Sequence, residues 1–189
     1  MKRLAWIVGI LAVLLIAAAF IRSPKDQYYS AREVVIAARN GSYKINPSSS
    51  IFFKDGVGRR EASIPFAGRE SISLLGQPVT GDIDGDGDTD AVIMFTMSGP
   101  GSGTFYYVAA MVNEKGVYDG TDAIFVGDRI VPQSIEIHDG ETVVHYLERN
   151  RGDAFTTPPS VPKELRLAFT GGWKYGPLPK RSSVKPVGK

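Results

Sequence analysis

The stretch SIEIHDGETVVHYL, Ser134 to Leu147, decides the class of fold. Ile135 and Ile137 alternate with polar residues before Asp139-Gly140, and Thr142, Val144 and Tyr146 alternate after it. Alternation with period two marks a strand covered on one face only. Asp-Gly suits a two-residue type I′ turn, in which both central residues need positive φ. The stretch therefore predicts a β-hairpin with Ile135, Ile137, Thr142, Val144 and Tyr146 together on the core side.

Outward from this hairpin the same signature recurs in YKIN, SIFFKDG, EASIPF, SISLLG, AVIMFTM, TFYYVAAMV, AIFVG and LRLAF, short β-branched or aromatic runs divided by Gly, Pro, Asn or Asp. One helix interrupts the pattern. In SAREVVIAARNG, Ser30 and Glu33 have capping-box spacing and Asn40-Gly41 supplies a stop, which predicts a helix from Ala31 to Arg39 after a polar linker over 23–29. The expected fold is mainly β, of the α+β kind: a single antiparallel β-sheet domain over 30–170 with one short N-terminal helix. No segment repeats at a fixed period, which argues against a solenoid or a multi-blade propeller.

Composition excludes some functions. With 22 basic and 20 acidic residues the formal net charge is +2, too small to indicate a nucleic-acid partner. There is no cysteine, hence no disulfide, thiolate metal site, cysteine nucleophile or cysteine-linked lipid.

The two ends differ from the middle. Lys2 and Arg3 precede Leu4 to Ile21, an uncharged and almost wholly apolar run long enough to span a bilayer core. Residues 1–22 are therefore expected to be a transmembrane signal-anchor, N-terminus in the cytoplasm, with the membrane as partner through Leu4 to Ile21. The alternative is a cleaved signal peptide, for which Ala17 and Ala19 supply the small-residue pair, leaving a secreted or periplasmic chain. The anchor is preferred because the small residues lie inside an apolar run that continues through Phe20 and Ile21. Both readings put the domain outside the cytoplasm. At the far end, 171–189 carries five basic and no acidic residues among Pro, Gly and Ser, and reads as a disordered, solvated tail.

The most specific chemistry lies in GDIDGDGDTDAVIMF, Gly81 to Phe95. Asp82, Asp84, Asp86, Gly87, Asp88 and Asp90 fit D-x-D-x-D-G-x-x-D. Hard oxygen ligands two residues apart in a tight loop suit Ca²⁺: side chains at the first, third and fifth positions, a backbone carbonyl at the seventh and a carboxylate at the ninth. Gly87 permits the left-handed turn that gathers them. An EF-hand needs a bidentate Glu at position twelve, where Ile93 stands. Mg²⁺ fits less well, since it prefers fewer carboxylates and more retained water. The expected ligands are Asp82, Asp84, Asp86, Asp88 and Asp90, around a structural Ca²⁺.

This loop resembles the aspartate-rich calcium loops of integrin-type β-propeller repeats, but one copy over about fifteen residues implies no propeller. In order, NGSYKI, GDIDGDGDTDAVIMF, GSGTFYYVAAMVNEKG, IFVGDRI and IEIHDGETVV resemble an uncharacterised family of secreted bacterial β-rich domains, many of them lipoproteins. The resemblance implies an extracytoplasmic domain and assigns it no activity. The chain departs from that family at FTTPPS, where members often have a Cys pair near a Pro, and in having an apolar anchor instead of a lipidated cysteine.

Catalytic constellations do not emerge. His138 and His145 are the only histidines; the hairpin register separates them by roughly 13 Å, too far to share a metal easily. His138 with Glu141 reads as a solvated cross-strand contact. SGPGSGTF, Ser98 to Phe105, lacks the spacing of a nucleophile elbow or a phosphate loop and reads as a hairpin connection, while Tyr106 and Tyr107 should point to opposite faces. Arg151-Gly152-Asp153 spells the integrin-recognition tripeptide, but three residues carry little structural information, and Asn150 to Pro159 reads as a loop. Asp128 and Arg129 read as a turn with a salt bridge. The expected function is a membrane-anchored extracytoplasmic calcium-binding module with a structural or binding role; the sequence assigns it no ligand, an envelope polymer or a protein being the options. The alternative is an envelope hydrolase with a metal-assisted site.

Overall fold

The computed structural model describes residues 24–60, 70–99, 103–169 and 175–178. The expected membrane span, Leu4 to Ile21, lies outside them; among the described residues no helix is long and apolar enough to cross a membrane.

The chain enters through a helix, α1, Pro24–Arg39. It begins seven residues before the expected start, so residues 24–29 of the stretch assigned to a linker are helical. Proline suits a first helical position, where its fixed φ is already helical and its missing N–H costs nothing. Ser30 thus sits inside the helix, and its buried Oγ has no hydrogen-bond partner, so it caps nothing. Val34 and Ala38, one turn apart, are fully buried.

The strands follow in chain order: β1 Ser42–Asn46, β2 Ser49–Lys54, β3 Val57–Arg60, β4 Ser71–Leu74, β5 Val79–Gly81, β6 Asp90–Ser98, β7 Thr104–Glu114, β8 Val117–Gly120 and β9 Ile124–Asp128 form one sheet. β10 Val131–His138, β11 Glu141–Glu148, β12 Val161–Phe169 and β13 Tyr175–Pro177 form a second. Among the described residues the protein is mainly β with one helix and antiparallel ladders, as expected, but the strands divide between two sheets. Part of the expected tail is ordered too, since Tyr175–Pro177 pairs with β12.

The larger sheet is built on the long β6–β7 hairpin. Each member is flanked by two short strands in tandem: β4 and β5 pair with successive parts of β6, and β9 and β8 with successive parts of β7. From there the order runs through β3 and β2 to β1, and the sheet curls until β1 meets the segment after β8. Lys44 bridges Asp122 in parallel fashion, and the Ala123 N–H donates to the Lys44 carbonyl at 2.6 Å. The closure requires glycine at 120, where a Cβ would collide with the Ser42 carbonyl.

Two cores result. Inside the curl, Tyr43, Ile51, Phe53, Ile72, Ile93, Phe95 and Met111 pack with Val34 and Ala38 of α1. Edge-to-face and stacked rings run from Tyr43 through Phe53 and Phe95 to Tyr107, centroids 5.3–5.8 Å apart. The opposite face of β6 and β7, carrying Val92, Met94, Val108, Ala110 and Val112, packs on Val144 and Leu167 of the second sheet. Because both faces of β6 are covered, its residues from Asp90 to Phe95 are all buried.

The Ser134–Leu147 hairpin forms in the expected register. Ile137 faces Thr142, Ile135 faces Val144, and Asp139 and Gly140 have φ of 50° and 76°, as a type I′ turn requires. Thr142 and Val144 are fully buried, with Ile135, Ile137 and Tyr146 packed on the same core.

Candidate metal centre

The acidic loop, 82–89, connects β5 to β6, and its ends are held together by the Gly81–Asp90 pair. Within it the carboxylates organise the backbone. Asp82 accepts hydrogen bonds from the Gly85 N–H at 2.7 Å and the Gly87 N–H at 3.0 Å. Asp84 accepts from the Asp86 N–H at 3.1 Å, and Asp86 from the Asp88 N–H at 2.7 Å. Gly85 and Gly87 have φ of 84° and 87°, and no atom would touch a Cβ at either position, so backbone conformation alone demands glycine there.

This winding brings Asp82, Asp84 and Asp86 together, with one oxygen from each lying within 4.8 Å of the others. Unit charges about 5 Å apart repel by roughly 3 kcal/mol per pair at an effective dielectric near 20, so the arrangement is electrostatically costly unless a cation is shared. All the donors are hard oxygens, the set that Ca²⁺ prefers. Burial pushes the Asp84 carboxyl above the ordinary carboxylate range, and the neighbouring Asp86 and Asp82 charges push in the same direction.

The side chains of Asp88 and Asp90 turn elsewhere. Asp88 Oδ2 accepts from the Lys115 N–H at 2.7 Å, so this side chain is turned to the β7–β8 turn. Asp90 is completely buried and accepts from the Ile83 N–H and the Asn113 N–H, both at 2.8 Å. Burial is the main cause that pushes its carboxyl up to about 6, opposed by those two hydrogen bonds and reinforced by the charges of Asp84 and Asp86. The structure thus gathers three of the five aspartates and uses the other two to fasten the loop to the β7–β8 turn.

Asn113 completes the fastening and carries no mark in the local sequence. Buried at 3% exposure, it donates from Nδ2 to the Thr89 carbonyl at 3.3 Å and accepts the Gly116 N–H at 2.8 Å. The Asn-x-x-Gly spacing signals a turn, but its link to an acidic loop more than twenty residues away is a tertiary fact. On the other side the β10–β11 turn comes down on the loop. Asp82 and Asp84 share a cleft of about 600 Å³ with Ile137, Asp139, Gly140 and Phe169.

Of the remaining sequence candidates, the two histidines reach the same carboxylate from positions that the hairpin register sets apart along the sheet, a closer approach than the sequence suggested. His138 pairs with Glu141 in the ladder, yet its Nε2 lies 3.5 Å from Glu136, and His145 Nε2 lies 3.9 Å from the same carboxylate. Glu141 is gripped by Arg166 at 2.5 and 2.6 Å. Tyr106 and Tyr107 do point to opposite faces, one toward each core. Asp128 and Arg129 form the expected salt bridge at 2.8 Å, with the guanidinium lying 3.9 Å over the Phe155 ring. Asp153 of the Arg-Gly-Asp tripeptide folds back to accept the Asn150 N–H at 3.0 Å, closing a local turn.

No protein-family model matches the chain, and no curated protein or solved structure is significantly similar to it.

Proposed function

We propose that the chain is a membrane-anchored extracytoplasmic module that binds Ca²⁺ at the Asp82–Asp90 loop and serves a structural or ligand-binding role. The observation that carries the calcium reading is the convergence of Asp82, Asp84 and Asp86 on a loop whose exit strand is buried core. The anchor rests on the apolar run from Leu4 to Ile21. Asp82, Asp84 and Asp86 would supply side-chain ligands, with the Asp88 carbonyl at the seventh position, while Asp90 braces the loop from beneath. When bound, the ion supplies positive charge to a site that otherwise repels itself.

Ion binding and folding are then linked. A ligand at a hundredfold excess over its Kd adds about 2.7 kcal/mol of stability, and extracellular calcium modules commonly bind at about 10⁻⁴ to 10⁻³ M. Full-length protein in mild detergent is expected to melt at a higher temperature in millimolar Ca²⁺ than in EDTA. Mg²⁺ should have a much smaller effect, and Asp86→Ala should abolish the difference. Identical melting curves in Ca²⁺ and EDTA, with no heat of binding by calorimetry, would reduce the loop to a polar turn.

A further inference from the structure

The outward face of β1, β2 and β3 combines exposed apolar and basic side chains. The inward residues of these strands, Tyr43, Ile51 and Phe53, fill the curl of the sheet. Pairing places Phe52 beside Arg59, and Lys54 beside Val57, on the other side. Lys44 extends this face onto β1. Phe52, in mid-strand, is 48% exposed, and Val57, in the pair that closes the β2–β3 turn, is 61% exposed. Lys44, Lys54 and Arg59 are exposed as well, and none of them takes part in an ion pair among the described residues. Carboxylates stand at its rim: Asp55 in the β2–β3 turn, Asp122 bridged to Lys44, and Asp119, which lines one cleft with Lys44 and Ser50.

We propose that this face docks on an anionic lipid bilayer, with Lys54, Arg59 and Lys44 meeting the headgroups and Phe52 and Val57 entering the interface between them. Exposed apolar side chains interleaved with unpaired bases match a membrane surface, where buried apolar area and attraction to anionic lipid act together. A soluble polyanion would engage the bases and leave Phe52 and Val57 in water. The inference is independent of the calcium reading, and the failure of either leaves the other standing.

The chain has no cysteine, so single labels are clean. Full-length protein carrying an environment-sensitive dye at Ser50→Cys, on the proposed face, is incorporated into phosphatidylcholine vesicles with or without phosphatidylglycerol, with brominated lipid as quencher. A label at Glu164→Cys, on the exposed side of the second sheet, reports any contact due to the N-terminal segment alone. Quenching is expected at position 50 only, and only in the anionic vesicles. Each base near an anionic surface contributes about fivefold, so Lys54→Gln with Arg59→Gln should lower the docked-to-undocked ratio about 25-fold. Both residues are exposed, and unchanged circular dichroism confirms that the variant folds. The proposal is overturned if quenching is equal in neutral vesicles, if it is the same at both labels, or if the double variant behaves as wild type. A dye response to soluble polyphosphate larger than that to vesicles would assign the face to a polymer instead.

Discussion

Replacing Asp90 by alanine should cost more stability than replacing any other aspartate of the acidic loop, even with no metal present. Asp90 is fully buried, and its two oxygens satisfy the amides of Ile83 and Asn113. A buried amide left without an acceptor costs about 1–3 kcal/mol, so two cost roughly 2–6 kcal/mol. Asp88→Ala abandons one amide, that of Lys115, and should cost about half as much. Asp82 serves the amides of Gly85 and Gly87 where water can replace it, and its loss should cost less than about 1 kcal/mol. Urea unfolding followed by circular dichroism, with full-length protein in mild detergent and EDTA, would order the three. For a domain of this size about 4 kcal/mol corresponds to roughly 10 °C in melting temperature. The pH dependence carries the same signature. Between the ordinary carboxylate range and about 6 the folded state keeps a proton on Asp90 that the unfolded state has released. The stability this contributes is present at low pH and is lost as pH rises through that window. Asp90→Asn should flatten the slope. If Asp90→Ala in EDTA costs no more than Asp82→Ala, the idea that Asp90 fastens the loop to the core is wrong.

Two further outcomes follow from the packing. Thr142 is fully buried between the sheets and its hydroxyl has no partner, so Thr142→Val should be neutral or stabilising by about 1 kcal/mol in urea unfolding. Gly120→Ala forces a methyl group onto the Ser42 carbonyl where the curled sheet closes, and should cost about 2–4 kcal/mol, with faster hydrogen exchange in β1 and β8 than in β6.

Local signals in the sequence determined what was legible. The Asp139-Gly140 hairpin was readable down to its register, because alternation and turn chemistry both act within a few residues and agree. The two-sheet division was not, since alternation says that Val144 is covered but not that Val108 and Ala110 cover it. The helix start was misplaced because Ser30 and Glu33 have the spacing of a cap, a pattern that also occurs by chance inside a helix that Pro24 has already opened. β13 escaped notice because three residues joined mainly by backbone pairing need no apolar pattern. In the acidic loop the spacing of Asp82, Asp84 and Asp86 foretold their convergence. It could not tell a ligand from a fastener at Asp88 and Asp90, whose partners Lys115 and Asn113 come from another hairpin.

The seam between β1 and the segment after β8 bears on the order in which this chain acquires its shape. Lys44 and Asp122 are far apart in sequence, and everything between them must be in place before they can meet. Contacts of that kind slow folding, because the entropy of a large loop is lost before the contact rewards it. Until then β1 has a free strand edge, the element through which unfinished β proteins join one another. For a chain synthesised from its N-terminus, β1 emerges early and waits for its partner. Conditions that delay the C-terminal half should therefore favour aggregation through the N-terminal strands, with the mature domain as stable as before.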